Sequence, residues 1–505
     1  MDVTMKKRSV DCYNRSCDWN DSRDAAVETV VPDTMPDIER ILCADGYLII
    51  KSKEAAPGSM TVTAGIAASV LYVPEGERGI RSLSAVIPVS VTAEAPGISE
   101  DSIPVAMLTV SSVEARMLNP RKVVVRAVVS TRLSGYDRGH KEYCEGIDAA
   151  GARIQLLTEN RRASNVVCVK EKTFVTADEF HMPTGKPTIG QVLSTGVELI
   201  AGDVKQVGNK LVVNGSAHIS LTYLSEEEGA VASADFECGF SQLVEADTEL
   251  NSPDCAAHLL LTAAYIEPAT LSTGERGVSC ELHAVVQVVC VDSVDVACIA
   301  DCYSNGSDLE AECITEPWLT LGRRLPQHNA VHEELETETE VREILNAACR
   351  VVEYSTDGCT ARCKISASVL YRDAEGELRS AAKRISAECE LDTEDDLLPE
   401  VIAAGCSGLY TTPTQTGIDL RLNLDFDTRL SKTESQPQVV RISLAEEGEP
   451  TEILPSLVVV RTSEKDSLWQ LAKRYHSTRD LIAAANGDEI LDAVGGRVLL
   501  IPTDK

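Results

Sequence analysis

Apolar residues alternate with polar ones over long stretches of this chain. The clearest run places Ile418, Leu420, Leu422, Leu424 and Phe426 on one face and Asp419, Arg421, Asn423 and Asp425 on the other. A period of two over nine residues predicts a half-buried strand, apolar side inward. Val123, Val125, Ala127 and Val129 predict a second such strand, and Leu282, Ala284, Val286 and Val288 a third. Each follows a proline turn signal, at Leu118-Asn119-Pro120, Ile266-Glu267-Pro268 and Thr411-Thr412-Pro413.

The strands belong to a repeat. VPDTMPDIERIL, opening at Val31-Pro32, and MPTGKPTIGQVL, opening at Met182-Pro183, share the order Pro, Pro, Ile, Leu. Pro32/Pro183, Pro36/Pro187, Ile38/Ile189 and Leu42/Leu193 are each 151 positions apart, as are Tyr72 and Tyr223, which close the apolar runs GIAASVLY and SAHISLTY. A third copy, without the prolines, runs through EVREIL to Leu345 and reaches its tyrosine at Tyr371. Self-similarity at fixed spacing means repeated structural units. The expectation is a mainly β protein of three tandem, sandwich-like units of roughly 110 residues, at 31–140, 182–295 and 333–431. A polar segment, 1–30, precedes them. Acidic connectors such as Glu333 to Glu340 lie between, and 432–455, with Pro437, Pro450 and Pro455, reads as an acidic, proline-bearing linker.

Periodicity changes at the end of the chain, over 456–503. LVVVRT predicts a strand. Ser467 then caps a helix with Leu468, Leu471, Ala472 and Tyr475 at helical spacing. A second helix starts near Thr478 and stops at Asn486-Gly487, and RVLLIP closes the chain as a strand. So short a β-α-α-β unit requires tight packing around Leu468, Leu481, Ile482 and Leu499.

Composition narrows the function. The 505 residues suggest several domains. Aromatics are only 4%, so the cores rest on aliphatic and β-branched side chains, which favour sheets. A net charge of −32 opposes binding to nucleic acid or anionic lipid. It leaves a basic protein partner, a neutral glycan, or simple solubility. The basic start at Lys6-Lys7-Arg8 is followed by polar residues, not by the apolar core of a secretory signal, and no apolar stretch is long enough for a membrane span. The 17 cysteines, odd in number and scattered, therefore read as reduced thiols in a cytoplasm.

Candidate chemistry is sparse. There is no phosphate-binding loop and no HExxH. Cys298 with Cys302, Cys359 with Cys363, and Cys280 near His283 do not supply paired zinc-ligand clusters. No metal, no cofactor and no catalytic residue is expected, and the chain reads as a non-enzyme.

Two resemblances sharpen this. KDSLWQLAKRYHSTRDLIAAANGDEI…GGRVLLIP resembles a LysM module over its full length, with Lys465 where that family usually has glycine. LysM modules bind N-acetylglucosamine-containing glycans in a shallow groove. The resemblance implies Lys465, Asp466 and Ser467 on one wall and Asn486, Gly487 and Asp488 on the other. A lysine at the glycine position obstructs a sugar or redirects recognition toward protein. Residues 457–505 carry seven basic and seven acidic residues, so the rest of the chain holds the negative charge. The P-x3-P-x-I opening and the tyrosine-ended strand resemble the SPOCS domain of spore-forming Firmicutes. Three such units and one terminal LysM resemble the SipL type of spore coat morphogenetic protein. That resemblance implies a mother-cell cytoplasmic protein at the forespore surface, whose LysM binds the coat-basement ATPase polymer. The alternative is a peptidoglycan or N-acetylglucosamine-glycan binder of the cell wall.

Overall fold

The computed structural model describes residues 2–503 apart from 78, 149–152, 248, 252, 307, 395, 445–454 and 488–494. Three stretches of the chain repeat one strand order. In the first, β1 (Thr4–Val30) is followed by β2 (Ile38–Ala56), β3 (Ser59–Pro74), β4 (Arg81–Glu94), β5 (Ile103–Asn119) and β6 (Lys122–Asp148). The second comprises β7 (Ile154–His181), β8 (Ile189–Val207), β9 (Lys210–Ser225), β10 (Val231–Glu245), β11 (Asp254–Thr270) and β12 (Arg276–Ser304). The third comprises β13 (Leu309–Glu336), β14 (Val341–Asp357), β15 (Thr360–Asp373), β16 (Leu378–Glu390), β17 (Leu398–Pro413) and β18 (Gly417–Leu444).

In each unit the second to fourth strands form an antiparallel meander, and the last strand pairs with both the first and the fifth in a longer sheet. The two sheets enclose an aliphatic core. In the first unit Val62, Ile66 and Val70 of β3 pack with Val123, Val125, Ala127 and Val129 of β6. In the third, Ile418, Leu420, Leu422, Leu424 and Phe426 are 0–3% exposed. The period-two reading of these strands holds, and the fold is mainly β, of sandwich-like units.

The repeated motif anchors each unit. Tyr72, Tyr223 and Tyr371 are among the largest fully buried side chains. Tyr72 Oη donates to Pro36 O at 3.2 Å, and Tyr223 Oη to Pro187 O at 2.9 Å. In the third unit Thr339 stands where the proline would be, and Tyr371 Oη lies 3.5 Å from its hydroxyl. Ile38, Ile189 and Val341 fill the same buried position.

The units do not hang in a row: they close on one another. Leu42, Leu193 and Leu345, the last residues of the three motifs, share one apolar cluster with Leu71, Ile80, Leu370 and Leu378. Around it runs a cyclic set of hydrogen bonds. Ser82 Oγ donates to Leu193 O, Ser233 Oγ to Leu345 O at 2.7 Å, and Ser380 Oγ to Leu42 O. Each unit grips the next and the third returns to the first, a head-to-tail contact closed within one chain. Polar clamps reinforce the seams. Lys53 Nζ of the first unit reaches Glu171 Oε2 (2.6 Å) and Gln287 Oε1 (2.5 Å) of the second. Burial pushes this ammonium below its ordinary pKa. Gln287, 1% exposed, also spans Ala106 with both its amide atoms. Arg324 of the third unit binds Asp254 of the second at 2.6 Å, and Arg350 reaches Gly46 O of the first at 3.2 Å.

The polar lead, the expected linker and much of the acidic connector form strands where they are described. Residues 4–30 form β1, paired with β6 along its whole length. Residues 432–444, expected as linker, continue β18 against β13, and 445–454 lie outside the described residues. Of the expected connector Glu333 to Glu340, Glu333, Glu334 and Glu336 end β13, whereas Glu338 and Glu340 lie in the link before β14. The reason is common to all three. The first and last strands of each unit overhang the sandwich as a two-stranded ribbon, and a ribbon wet on most of its surface needs no alternating apolar pattern. Pro437 is accommodated because β18 has only β13 beside it there, so the missing N–H faces no strand.

The three overhangs pack together into a stalk on the order of 40 Å long, from a dozen residues at the rise of a strand. Its core includes Tyr143, Ala163, Val296, Cys298 and Trp318, followed by Cys144, Ile299, Cys302, Val439 and Ile442. Tyr143 and Trp318 meet at 5.4 Å, and Arg161 lies 5.3 Å over the indole.

One expectation about the cysteines is corrected. Cys255 and Cys290 are register partners on β11 and β12, with Cα atoms 4.0 Å apart, and are joined as a disulfide. Strand register, invisible in the sequence, brings them together across 35 residues. The other fifteen are free and mostly buried, as small apolar side chains.

Candidate binding module at the end of the stalk

The last element is β19 (Leu457–Arg461), α1 (Leu468–Arg474), α2 (Arg479–Asn486) and β20 (Val498–Pro502). Ser467 caps α1 with a complete capping box. Its hydroxyl accepts from Gln470 N, and the Gln470 side chain accepts from Ser467 N. Thr478 caps α2 by accepting from Leu481 N at 3.1 Å. Gly487 ends α2 at φ 94°, a backbone conformation glycine takes without a Cβ clash. Leu468, Leu471, Ala472, Ile482, Leu499 and Ile501 form the core. Leu481, expected among them, is 37% exposed. The helix phase gives Ile482 the inward position instead, and one residue along a helix turns the side chain by about 100°.

Of the six expected groove residues, three spend their polar atoms on the fold. Asp466 Oδ2 accepts from the backbone N–H and hydroxyl of Ser463, at 2.7 and 2.9 Å, and these bonds hold its carboxyl below the ordinary value. Ser467 is the cap already described. Asn486 is a bridge. Its amide donates to Ile482 O and Leu500 O, and its carbonyl accepts from Leu500 N at 2.7 Å, so it ties α2 to the edge of β20. Lys465 and Gly487 are exposed. Asp488 lies outside the described residues.

Sequence reading missed how the module is seated. Trp469 Nε1 donates to Asp301 Oδ2 at 2.8 Å, and Lys473 Nζ lies 2.6 Å from Asp301 Oδ1. The Tyr303 ring meets Trp469 edge-on at 4.8 Å. Tyr303 Oη and Asn305 Nδ2 donate to the carbonyl of Ser477, at 2.8 and 3.0 Å, in the loop between the helices. His476, with φ 48°, turns the chain there. Burial pushes the Asp301 carboxyl up, but Lys473, Trp469 and the Cys302 N–H outweigh it and hold it below its ordinary value. One side of α1 is thereby fixed on the stalk tip.

Two shallow clefts, of about 410 and 380 Å³, are lined by Gln206, Glu249 and Asn251 in one and His332, Arg421 and Asn423 in the other. Neither places a nucleophile beside a base. Among the described residues no group of three or more His, Cys, Asp or Glu side chains is placed to hold a metal ion, and no helix is long and apolar enough to cross a membrane.

The comparison with protein families bears on the first unit. Residues 37–118 match the family model described as SipL, SPOCS domain. The matched segment runs from the motif isoleucine through Tyr72 to the end of β5, so it takes in the meander, the buried tyrosine and the edge strand of the first sandwich. No curated protein and no solved structure matches the chain.

Proposed function

We propose that this chain is a non-catalytic assembly protein of the spore coat. The match of residues 37–118 to the SipL SPOCS model carries the reading. The second and third units share the strand order and the buried Ile/Val and Tyr positions of the matched one, which supports reading them as two further domains of that kind. The terminal β-α-α-β module reads as LysM. In this account the ring and stalk are a scaffold in the mother-cell cytoplasm, and the LysM docks the protein onto the coat-basement ATPase polymer at the forespore surface.

The protein reading is favoured over the glycan reading because Asp466, Ser467 and Asn486 are engaged within the module. Sugar hydroxyls compete poorly for polar atoms already bonded to backbone groups. The test is sedimentation of the purified full chain with the polymerised ATPase and, separately, with insoluble peptidoglycan. The chain is expected to pellet with the polymer and to stay in solution with peptidoglycan. Retention on peptidoglycan that is lost in Asp466→Ala or Asn486→Ala would transfer the assignment to a glycan binder.

A further inference from the structure

The module keeps a second apolar face that nothing among the described residues covers. Along β19 the side chains of Val458 and Val460 pack on the core, whereas Leu457 and Val459 are 51% and 62% exposed. Along β20 Leu499 and Ile501 are buried, whereas Val498 and Leu500 are 64% and 40% exposed. The register sets Val459 opposite Leu500 and Arg461 opposite Val498. Four aliphatic side chains therefore share the outer face of a two-stranded sheet.

A solvated sheet face normally carries polar residues, as β18 does with Asp419, Arg421, Asn423 and Asp425. An aliphatic outer face on so small a sheet marks a contact surface. Its border is basic. Arg461 and Arg497 are exposed, and among the described residues neither makes an ion pair, whereas Arg121, Arg324, Arg379 and Arg429 of the trunk all do. The patch has no aromatic platform for a sugar ring. The stalk contact is made through α1 and the loop between the helices, and none of the four aliphatic side chains joins the cluster around Tyr303.

We infer that the outer face of β19 and β20, centred on Val459 and Val498 and bordered by Arg461 and Arg497, is the docking surface of the module. Its partner is a separate protein that offers an apolar strip flanked by carboxylates. Aliphatic contact supplies the affinity, and the guanidiniums set register and salt dependence. This rests on the docking function proposed above and names the surface that performs it.

The test uses the full chain in the sedimentation assay with the polymerised ATPase. Val459→Asp combined with Val498→Asp is expected to weaken binding by about tenfold or more, as for loss of an interface centre. Arg461→Glu is expected to weaken it several-fold, with a flatter response to salt. Val86→Asp, at a 62% exposed valine on β4 of the trunk, serves as control and is expected to bind as the parent chain. Arg461→Glu changes a solvent-facing charge, so it decides the matter if the aspartate variants do not fold. Parent-level binding by Arg461→Glu and by folded sheet variants would overturn the surface and leave the docking function standing. Failure of the parent chain itself to pellet would instead overturn the docking function. Parent-chain self-association that the sheet variants abolish would assign the face to a second copy and overturn the partner inferred here.

Discussion

The ring of three sandwiches and the module at the stalk tip are held together on different scales. The ring buries an aliphatic core in each unit and closes on itself through Leu42, Leu193 and Leu345. Among the described residues the module has a core of nine buried side chains, and one of them, Tyr303, belongs to the stalk. A sandwich of this size supports itself, whereas a unit of under fifty residues is marginal and gains from every cap and borrowed contact. The difference teaches where the chain tolerates change. The ring fixes shape, and the module can be altered at its outer face without disturbing that shape.

The largest expected effect lies in the ring. Tyr223→Ala removes a fully buried aromatic and its hydrogen bond, and should cost on the order of 3–5 kcal/mol, read as a drop in the trunk's thermal midpoint. Gln287→Ala strips Ala106 of both amide partners at a buried seam and should cost about 2–3 kcal/mol, measured by denaturant unfolding. Tyr223→Phe should cost about 1–3 kcal/mol by leaving Pro187 O unpaired. Tyr371→Phe, whose hydroxyl sits 3.5 Å from Thr339 Oγ1, should cost less. Equal losses in the two variants would remove the distinction between the proline-bearing and proline-free units. In the module, Ser467→Ala loses the cap and should cost about 1 kcal/mol. Limited proteolysis should show the module cut sooner while the trunk stays resistant.

The smallest effect is acid dependence at the seat. The Asp301 carboxyl is held below its ordinary value, so its contribution is present above the unfolded pKa, about 4, and is lost as pH falls through the folded one. Trp469 fluorescence should therefore report loosening only in strong acid, and Asp301→Asn should remove that transition.

Much of this was legible in the sequence. The period-two strands, the 151-residue repeat and the two capped helices each leave a local pattern, because one face is buried and the other wet. The stalk left none. Its strands are paired throughout, but residues such as Lys6, Lys7, Arg8, Asp11 and Asn14 lie on a ribbon whose outer sides meet water. Ring closure was hidden for another reason. Leu42, Leu193 and Leu345 were visible as a repeat, but a repeat does not say whether its copies touch. In the module, Asp466, Ser467 and Asn486 stand where the LysM resemblance implied a groove, and the structure spends their polar atoms on capping and bridging. The seat on Asp301 and Tyr303 was out of reach, since it joins positions about 170 residues apart.

The division of labour between trunk and module is tested most directly by the position of a fluorescent fusion in sporulating cells. The full chain is expected to ring the forespore, and the chain lacking residues 457–503 to spread through the mother cell while purifying as a folded trunk. A forespore ring formed by the truncated chain would contradict the account.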